Sequence, residues 1–110
     1  MTLNELSEKL KNREYQTPGE LSEVRLELAG WFSLIAGQLE EVLKRKPAEW
    51  LKIRDREDIK SDTRADRIYE LTQDGRDEIL YRLELKRITV LMSGLRTRLE
   101  ILSQEAKNTF

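Results

Sequence analysis

The stretch that decides the fold is residues 21–43, LSEVRLELAGWFSLIAGQLEEVL. Its apolar side chains recur every three or four residues, which is the spacing of an amphipathic α-helix whose apolar face packs on a core. The residues on that face are Leu21, Val24, Leu28, Trp31, Phe32, Ile35, Leu39 and Val42. The sequence therefore predicts a central helix around which the other helices pack.

The opposite face of this helix carries mostly small residues. Leu26, Gly30, Ser33 and Gly37 again follow one another at intervals of three or four. Small side chains let another helix backbone approach closely. We therefore expect this face to contact a second helix, and Gly30, Ser33 and Gly37 are candidate self-association residues.

The composition argues against several classes of function. The chain has 110 residues, enough for one domain with a modest core. It contains no Cys and no His, which removes thiolate metal sites, disulfides, and the commonest metal ligand and general base. The formal net charge of -1 favours neither nucleic acid nor a membrane surface as a partner. We assign no catalytic residue, no cofactor and no metal, and expect a protein that is not an enzyme.

The sequence shows no targeting or membrane-spanning signal. The N-terminal residues MTLNELSEKL are charged and lack the apolar run of a signal peptide. The longest apolar stretch, residues 28–36, is shorter than the ~20 residues that a spanning helix needs. We expect the protein in the cytoplasm of the producing cell or host.

Two capping boxes predict where the first helices begin. Thr2 with Glu5 has the form of such a box and predicts a short helix over about residues 3–14. Residues 17–20, Thr-Pro-Gly-Glu, form a second box in which the proline occupies the first helical position. The central helix is therefore predicted over about residues 18–45.

The second half of the chain is predicted to contain a long helix. Pro47 disfavours helical geometry at the residue before it, so we predict a break there, followed by a short helical turn over 47–54. Residues 55–62 are almost all charged and predict a solvated turn. Beyond them the apolar spacing continues past Gly75, which predicts one continuous helix over about residues 62–105.

This last helix carries two apolar stripes. The broader one comprises Leu80, Ile88, Leu91, Leu95, Leu99 and Leu102. The second comprises Ile79, Leu83, Val90 and Ile101. One antiparallel partner covers only one stripe, so the other is covered either by the N-terminal helix, which is short, or by a second copy of the chain. We predict an all-α fold over residues 1–110, a long helical hairpin or three-helix bundle with coiled-coil-like packing, that forms a dimer or higher oligomer.

Basic residues near the predicted hairpin tip suggest an alternative partner. Cations together with an aromatic ring can hold a phosphate backbone and stack a base. The candidates for nucleic-acid contact are Trp50, Arg54, Arg56, Lys60 and Arg64. Acidic residues are interleaved with them and would repel phosphate, so an ordinary charged surface is the favoured interpretation.

Two acidic pairs raise a third possibility. Glu20 and Glu23 resemble half of the magnesium-binding motif of all-helical nucleotide pyrophosphohydrolases, and Asp74 and Asp77 have the spacing of a second pair. The residue types of that second pair differ from the family's. A magnesium site needs several convergent oxygens, so we favour solvated helix surfaces over a hydrolase.

The second half of the chain resembles small helical proteins of bacteriophages and prophages. Residues 60–75, KSDTRADRIYELTQDG, contain the Ala-Asp-Arg, aromatic, Thr, Gly progression of those proteins, and residues 103–106, Ser-Gln-Glu-Ala, resemble their ending. The resemblance implies a viral accessory role close to replication or recombination, without site residues. We favour a non-enzymatic interaction module acting through protein–protein contacts, with itself and an unknown protein, over a phage nucleic-acid accessory protein.

Overall fold

A computed structural model describes residues 2–11 and 17–109 of the chain, and α-helices make up most of them. The helices are α1 (Leu3–Lys11), α2 (Pro18–Arg54), α3 (Asp62–Leu71) and α4 (Gln73–Thr109). These described residues contain no β-strand. The predicted all-α class is confirmed, and the architecture is consistent with a helical hairpin or bundle.

The sequence predicted a single domain, and within that span the chain groups into two compact units. Unit 1 comprises Met1–Ser33 and Lys86–Phe110, and unit 2 comprises Leu34–Leu85. Unit 1 therefore contains α1, the beginning of α2 and most of α4. Unit 2 contains the rest of α2, all of α3 and the beginning of α4. Each unit is thus built from three helical segments.

Threonine and serine hydroxyls cap the N-termini of α1, α2 and α3. Thr2 Oγ1 accepts a hydrogen bond from the backbone N–H of Glu5, and Thr17 Oγ1 accepts one from that of Glu20, both at 3.2 Å. These bonds satisfy backbone donors that a helix leaves unpaired at its N-terminus. Ser61 does the same for α3. Helix α1 is described to Lys11, and the remainder of the predicted helix over residues 3–14 lies outside the described residues.

The apolar face that was predicted for the central helix is buried in part in each unit, with Leu21, Val24 and Leu28 in unit 1 and Ile35, Leu39 and Val42 in unit 2. Phe32 was assigned to this face wrongly, because it is 38% exposed.

The completely buried side chains of unit 1 come from α1, α2 and α4: Leu6, Leu21, Leu28 and Ile88. Burial of each such side chain contributes about 1.5–3 kcal/mol. A polar contact joins two of the helices, because Arg87 Nη1 donates to Asn4 Oδ1 at 2.9 Å.

Helix α2 continues through Pro47, where the sequence predicted a break between helices over 18–45 and 47–54. A proline in a helix interior removes a backbone donor and costs about 3 kcal/mol. The residues after it are held by an apolar cluster of unit 2, formed by Ile53, Ile59, Ala65 and Tyr69 with Trp50 and Ile68 packed against them. Because Trp50 and Ile53 belong to this cluster, the last turns of α2 stay helical to Arg54.

The connection between α2 and α3 is only partly the solvated turn that was predicted. The charged side chains of residues 55–58 are exposed. Ile59, in contrast, is only 3% exposed and belongs to the apolar cluster. Arg54 Nη1 also donates to the carbonyl oxygen of Ile59 at 3.1 Å. The connection is therefore anchored to unit 2 by one side chain and one backbone group.

The predicted continuous helix over residues 62–105 is wrong, since the chain leaves helical geometry at Thr72 (φ -73°, ψ 164°). The Thr72 hydroxyl donates to the carbonyl oxygen of Tyr69 at 2.6 Å and accepts from the N–H of Gly75 at 3.1 Å. One side chain thus ends α3 and caps α4. The break lies before Gly75, which is itself inside α4.

Gly75 allows the end of α3 to lie directly against the first turn of α4. A Cβ atom at this position would overlap the carbonyl oxygen of Tyr69 and lie 2.7 Å from Glu70 Cα. Both neighbours are backbone atoms, so they cannot move aside as a flexible side chain would. Only a glycine fits this junction without displacing one helix from the other.

Candidate interaction surface

The second apolar stripe of α4 is exposed in the single chain. Its residues are 45% (Ile79), 61% (Leu83), 64% (Val90) and 50% (Ile101) exposed. We call these four residues the outer row of α4. From the first stripe, Ile88 and Leu95 are buried, but Leu80 was assigned to it wrongly, because it is 51% exposed. The helix therefore packs one face into the protein and presents a second apolar face to solvent.

The small-residue face of α2 is exposed as well. Gly30, Ser33 and Gly37 all lie on the surface, and so does Leu26. A Cβ atom built at Gly30 or Gly37 would have no described atom within 4 Å. The described part of the chain therefore does not supply the second helix that we expected on this face.

A groove of about 440 Å³ lies between α1 and α4 in unit 1. Its lining residues are Ser7, Leu10, Val90, Leu91, Gly94, Leu95 and Arg98. One member of the outer row, Val90, thus forms part of the groove wall. Apolar surface continues from the outer row towards α1, and Arg98 brings a cation to the same groove.

Two of the nucleic-acid candidates are engaged with carboxylates. Trp50 Nε1 donates to Asp66 Oδ1 at 2.7 Å, and its ring packs against the apolar cluster of unit 2. Arg54 Nε donates to Asp62 Oδ1 at 2.8 Å. The indole is therefore held in place as part of the fold, and the Arg54 guanidinium already has an anionic partner.

The other three candidates lie on the surface of the same region. Arg56 Nη2 is 3.2 Å from Asp58 Oδ2, and Lys60 and Arg64 are exposed. Tyr69, the aromatic residue next to them in the sequence, is only 3% exposed and has no open face on which a base could stack. The structure brings the cations into one region but places carboxylates beside several of them.

The second of the two acidic pairs, Asp74 and Asp77, has structural partners. Asp74 accepts two hydrogen bonds from Arg45, which hold the pKa of its carboxyl group below the ordinary value. Asp77 Oδ1 accepts from Gln73 Nε2 at 2.8 Å. Glu20 and Glu23 are exposed on the first turns of α2. Within the described ranges, no group of three or more acidic side chains is placed to hold a metal ion.

A polar cleft in unit 2 was not predicted. It has a volume of about 290 Å³ and is lined by Lys46, Asp66, Tyr69, Glu70, Gly75, Glu78 and Ile79. Lys46 Nζ is 3.0 Å from Glu78 Oε1 and 5.2 Å from the centroid of the Tyr69 ring. The Tyr69 hydroxyl is buried and makes no hydrogen bond within the described residues. Such a cleft has room for water, which would satisfy that hydroxyl.

Burial is the main reason that the pKa of Tyr69 is raised, with the nearby Glu78 and Asp74 carboxylates adding to it. The phenol is therefore neutral at physiological pH, and a neutral phenol is a poor base. Its neighbours in the cleft come from α2, α3 and α4. No local motif could have indicated the cleft, because only tertiary packing brings these residues together.

The fold and the surface define an all-α protein with exposed apolar helix faces. The sequence matches no protein-family model, and neither the curated proteins nor the solved structures contain a significant match. No helix in the described ranges combines the length and the apolar character needed to cross a membrane.

Proposed function

We propose that the protein is a non-enzymatic interaction module that associates with a second copy of itself through the outer row of α4. The observation that supports this proposal is the exposure of Ile79, Leu83, Val90 and Ile101, each at least 45% exposed. Full burial of one such side chain stabilises a protein by about 1.5–3 kcal/mol. Because these side chains are only partly buried in the single chain, association can still gain part of that free energy. An exposed apolar row of this kind marks interaction sites in soluble proteins.

The biological setting follows from the resemblance of the second half of the chain to small phage and prophage proteins. It supports an accessory or scaffold role in the host cytoplasm, carried out through protein–protein contacts. Self-association would give such a protein two copies of every other surface, including the small-residue face of α2. A second protein partner is therefore compatible with a dimer through α4.

Light scattering coupled to size-exclusion chromatography tests the proposal. At micromolar concentration we expect a molar mass of at least twice the chain mass of 13.0 kDa. Val90→Glu places a charge in the apolar contact and should return the mass to that of one chain. Arg96→Glu is the matched control, because Arg96 is exposed and pairs with Glu100 one helical turn away on the same helix, at 3.6 Å.

Circular dichroism of both variants verifies that each is still helical. A wild-type protein with the mass of one chain at tens of micromolar would overturn the proposal. Equal dissociation by Val90→Glu and Arg96→Glu would also contradict it, because the contact would then depend on the net charge of the helix and not on the outer row.

A further inference from the structure

The outer row belongs to a longer series of positions that is symmetric about Val90. Residues 79, 83, 86, 90, 94, 97 and 101 follow one another at intervals of 4, 3, 4, 4, 3 and 4. Steps of three and four keep all seven positions on one face of a helix. All seven residues are exposed. The face therefore presents the same spacing whether α4 is followed forwards or backwards.

We infer that two copies of α4 pair antiparallel, with the two-fold axis at Val90. This inference rests on the proposed self-association and specifies its geometry. The two Val90 side chains then face each other, and Ile79 of each copy faces Ile101 of the other. A two-fold contact must match itself in this way. The spacing of eleven residues on either side of Val90 also suits nearly straight helices.

The remaining layers of this pairing are chemically compatible. Leu83 faces Thr97, whose hydroxyl already donates to the carbonyl oxygen of Ser93 at 3.1 Å, so that its methyl group is left for the apolar contact. Lys86 faces Gly94, where a Cβ atom would have no described atom within 4 Å. The lysine stem can cross that open space while its ammonium group reaches water.

The line of seven positions along which the two α4 helices meet is called the seam. The charged residues that flank it favour the antiparallel over the parallel direction. In an antiparallel helix pair, flanking positions on the same side of the seam meet, and they set orientation in coiled coils. Here Arg82 of each copy lies opposite Glu100 of the other. The present partner of Arg82 is Glu78 at 3.5 Å, and the present partner of Glu100 is Arg96 at 3.6 Å. The Arg96–Glu100 pair is exposed and contributes little. The Glu78 side chain is only 14% exposed, but it keeps a second cationic partner, Lys46 at 3.0 Å, when Arg82 turns to the other copy.

A parallel pair would bring like charges together. In a parallel pair, a flanking residue of one copy meets the residue five positions later in the other copy. Arg82 of one copy would therefore face Arg87 of the other, and Glu100 would face Glu105. Both contacts are repulsive. The sequence beside the seam therefore favours one direction and opposes the other.

The groove between α1 and α4 fits the same register. Leu80 is 51% exposed, so it lies outside the face of α4 that packs into the protein. In the antiparallel pair Leu80 lies opposite Arg98 of the other copy, and Arg98 lines the groove. The leucine can pack on the aliphatic part of the arginine, which extends the apolar contact beyond the outer row.

Site-specific cross-linking tests the register, and the chain offers a clean background because it contains no Cys. We would prepare Ile79→Cys and Ile101→Cys separately and treat each one, and an equal mixture, with a short bifunctional maleimide. We expect cross-linked dimer in the mixture and only traces with either variant alone. Either variant alone gives only traces because, in the antiparallel pair, residue 79 of one copy and residue 79 of the other lie 22 helix positions apart, roughly 33 Å at 1.5 Å per residue.

Val90→Cys should cross-link by itself, and Arg96→Cys, on the polar face, should not. Cross-linking of Ile79→Cys with itself would overturn the antiparallel register but leave self-association intact. A protein with the mass of a dimer whose Val90→Cys variant does not cross-link would place the contact elsewhere and also overturn the register. A monomeric wild type would instead remove the proposed function itself.

Charge exchange provides a second measurement that does not depend on cross-linking. Arg82→Glu should raise the dissociation constant of the dimer several-fold, and adding Glu100→Arg to the same chain should restore it. In a parallel pair Arg82→Glu would create an attraction to Arg87 and tighten the dimer. A lower dissociation constant for Arg82→Glu therefore contradicts the inference.

Discussion

Arg45 and Asp74 form a bidentate ion pair, in which Arg45 Nε donates to Asp74 Oδ2 and Arg45 Nη2 donates to Asp74 Oδ1, both at 3.1 Å. The pair joins α2 to the first turn of α4 within unit 2. Its hydrogen bonds hold the pKa of Asp74 below the ordinary value. Because the pKa is lower in the folded state, the pair stabilises the protein at pH values above the ordinary aspartate pKa, about 3.9. That contribution is lost as the pH falls through the lower, folded-state pKa.

We therefore predict that Arg45→Gln weakens the pH dependence of stability in the acid range. Wild type should exceed the variant in urea midpoint at pH 7, and the difference should shrink towards about pH 3 and below. Arg96→Gln, which breaks an exposed pair within one helix, is the control and should show a smaller difference at pH 7. A gap between wild type and Arg45→Gln that stays constant with pH would show that the ion pair is not its cause.

Gly75→Ala should destabilise the protein although alanine is the better helix former. Its Cβ atom would overlap the carbonyl oxygen of Tyr69 at the junction of α3 and α4. Overpacking of this kind costs about 1–3 kcal/mol. Gly37→Ala is the matched control, because its Cβ atom would enter open space and should add up to about 1 kcal/mol of stability. Chemical denaturation of the two variants measures the contrast, and a stabilised Gly75→Ala would refute the close approach.

We expect no electrophoretic shift with single- or double-stranded DNA at low salt. Trp50 and Arg54 are engaged with Asp66 and Asp62, and the carboxylates around them repel phosphate. A shift that weakens steeply as salt rises would instead support the nucleic-acid hypothesis, because phosphate binding releases counterions. Charge reversal at Arg54, Arg56 and Arg64 would then have to abolish it.

The apolar faces of the helices could be predicted from sequence because burial imposes a period on the chain. Leu21, Val24 and Leu28 are buried as their spacing predicts, and the second stripe of α4 is exposed, as expected of a face that one short helix cannot cover. Periodicity is a property of neighbouring residues, so a single sequence contains it.

The ends of the helices were harder to predict, because they depend on contacts between distant residues. The apolar spacing runs on past Thr72, and only its hydroxyl, bonded to both helices, reveals the break. A capping box has Glu or Gln three residues after its threonine, but the residue three positions after Thr72 is Gly75, so this cap could not be recognised from the sequence. At Pro47 the sequence predicted a break, but α2 continues through it, because the cluster around Ile53 stabilises the helix against the local preference of proline. The polar cleft around Tyr69 depends entirely on such packing.

The burial of Ile59 makes the charged connection between α2 and α3 an unsuitable place to engineer the chain. By composition, residues 55–60 look like a loop that would accept an inserted tag or new chain termini. Its backbone is instead held by turn bonds, from Asp55 N–H to Leu51 and from Ile59 N–H to Arg56, at 2.9 and 3.1 Å. An insertion here would withdraw Ile59 from the cluster that keeps the end of α2 helical beyond its proline. Fusion partners are therefore better attached outside this connection.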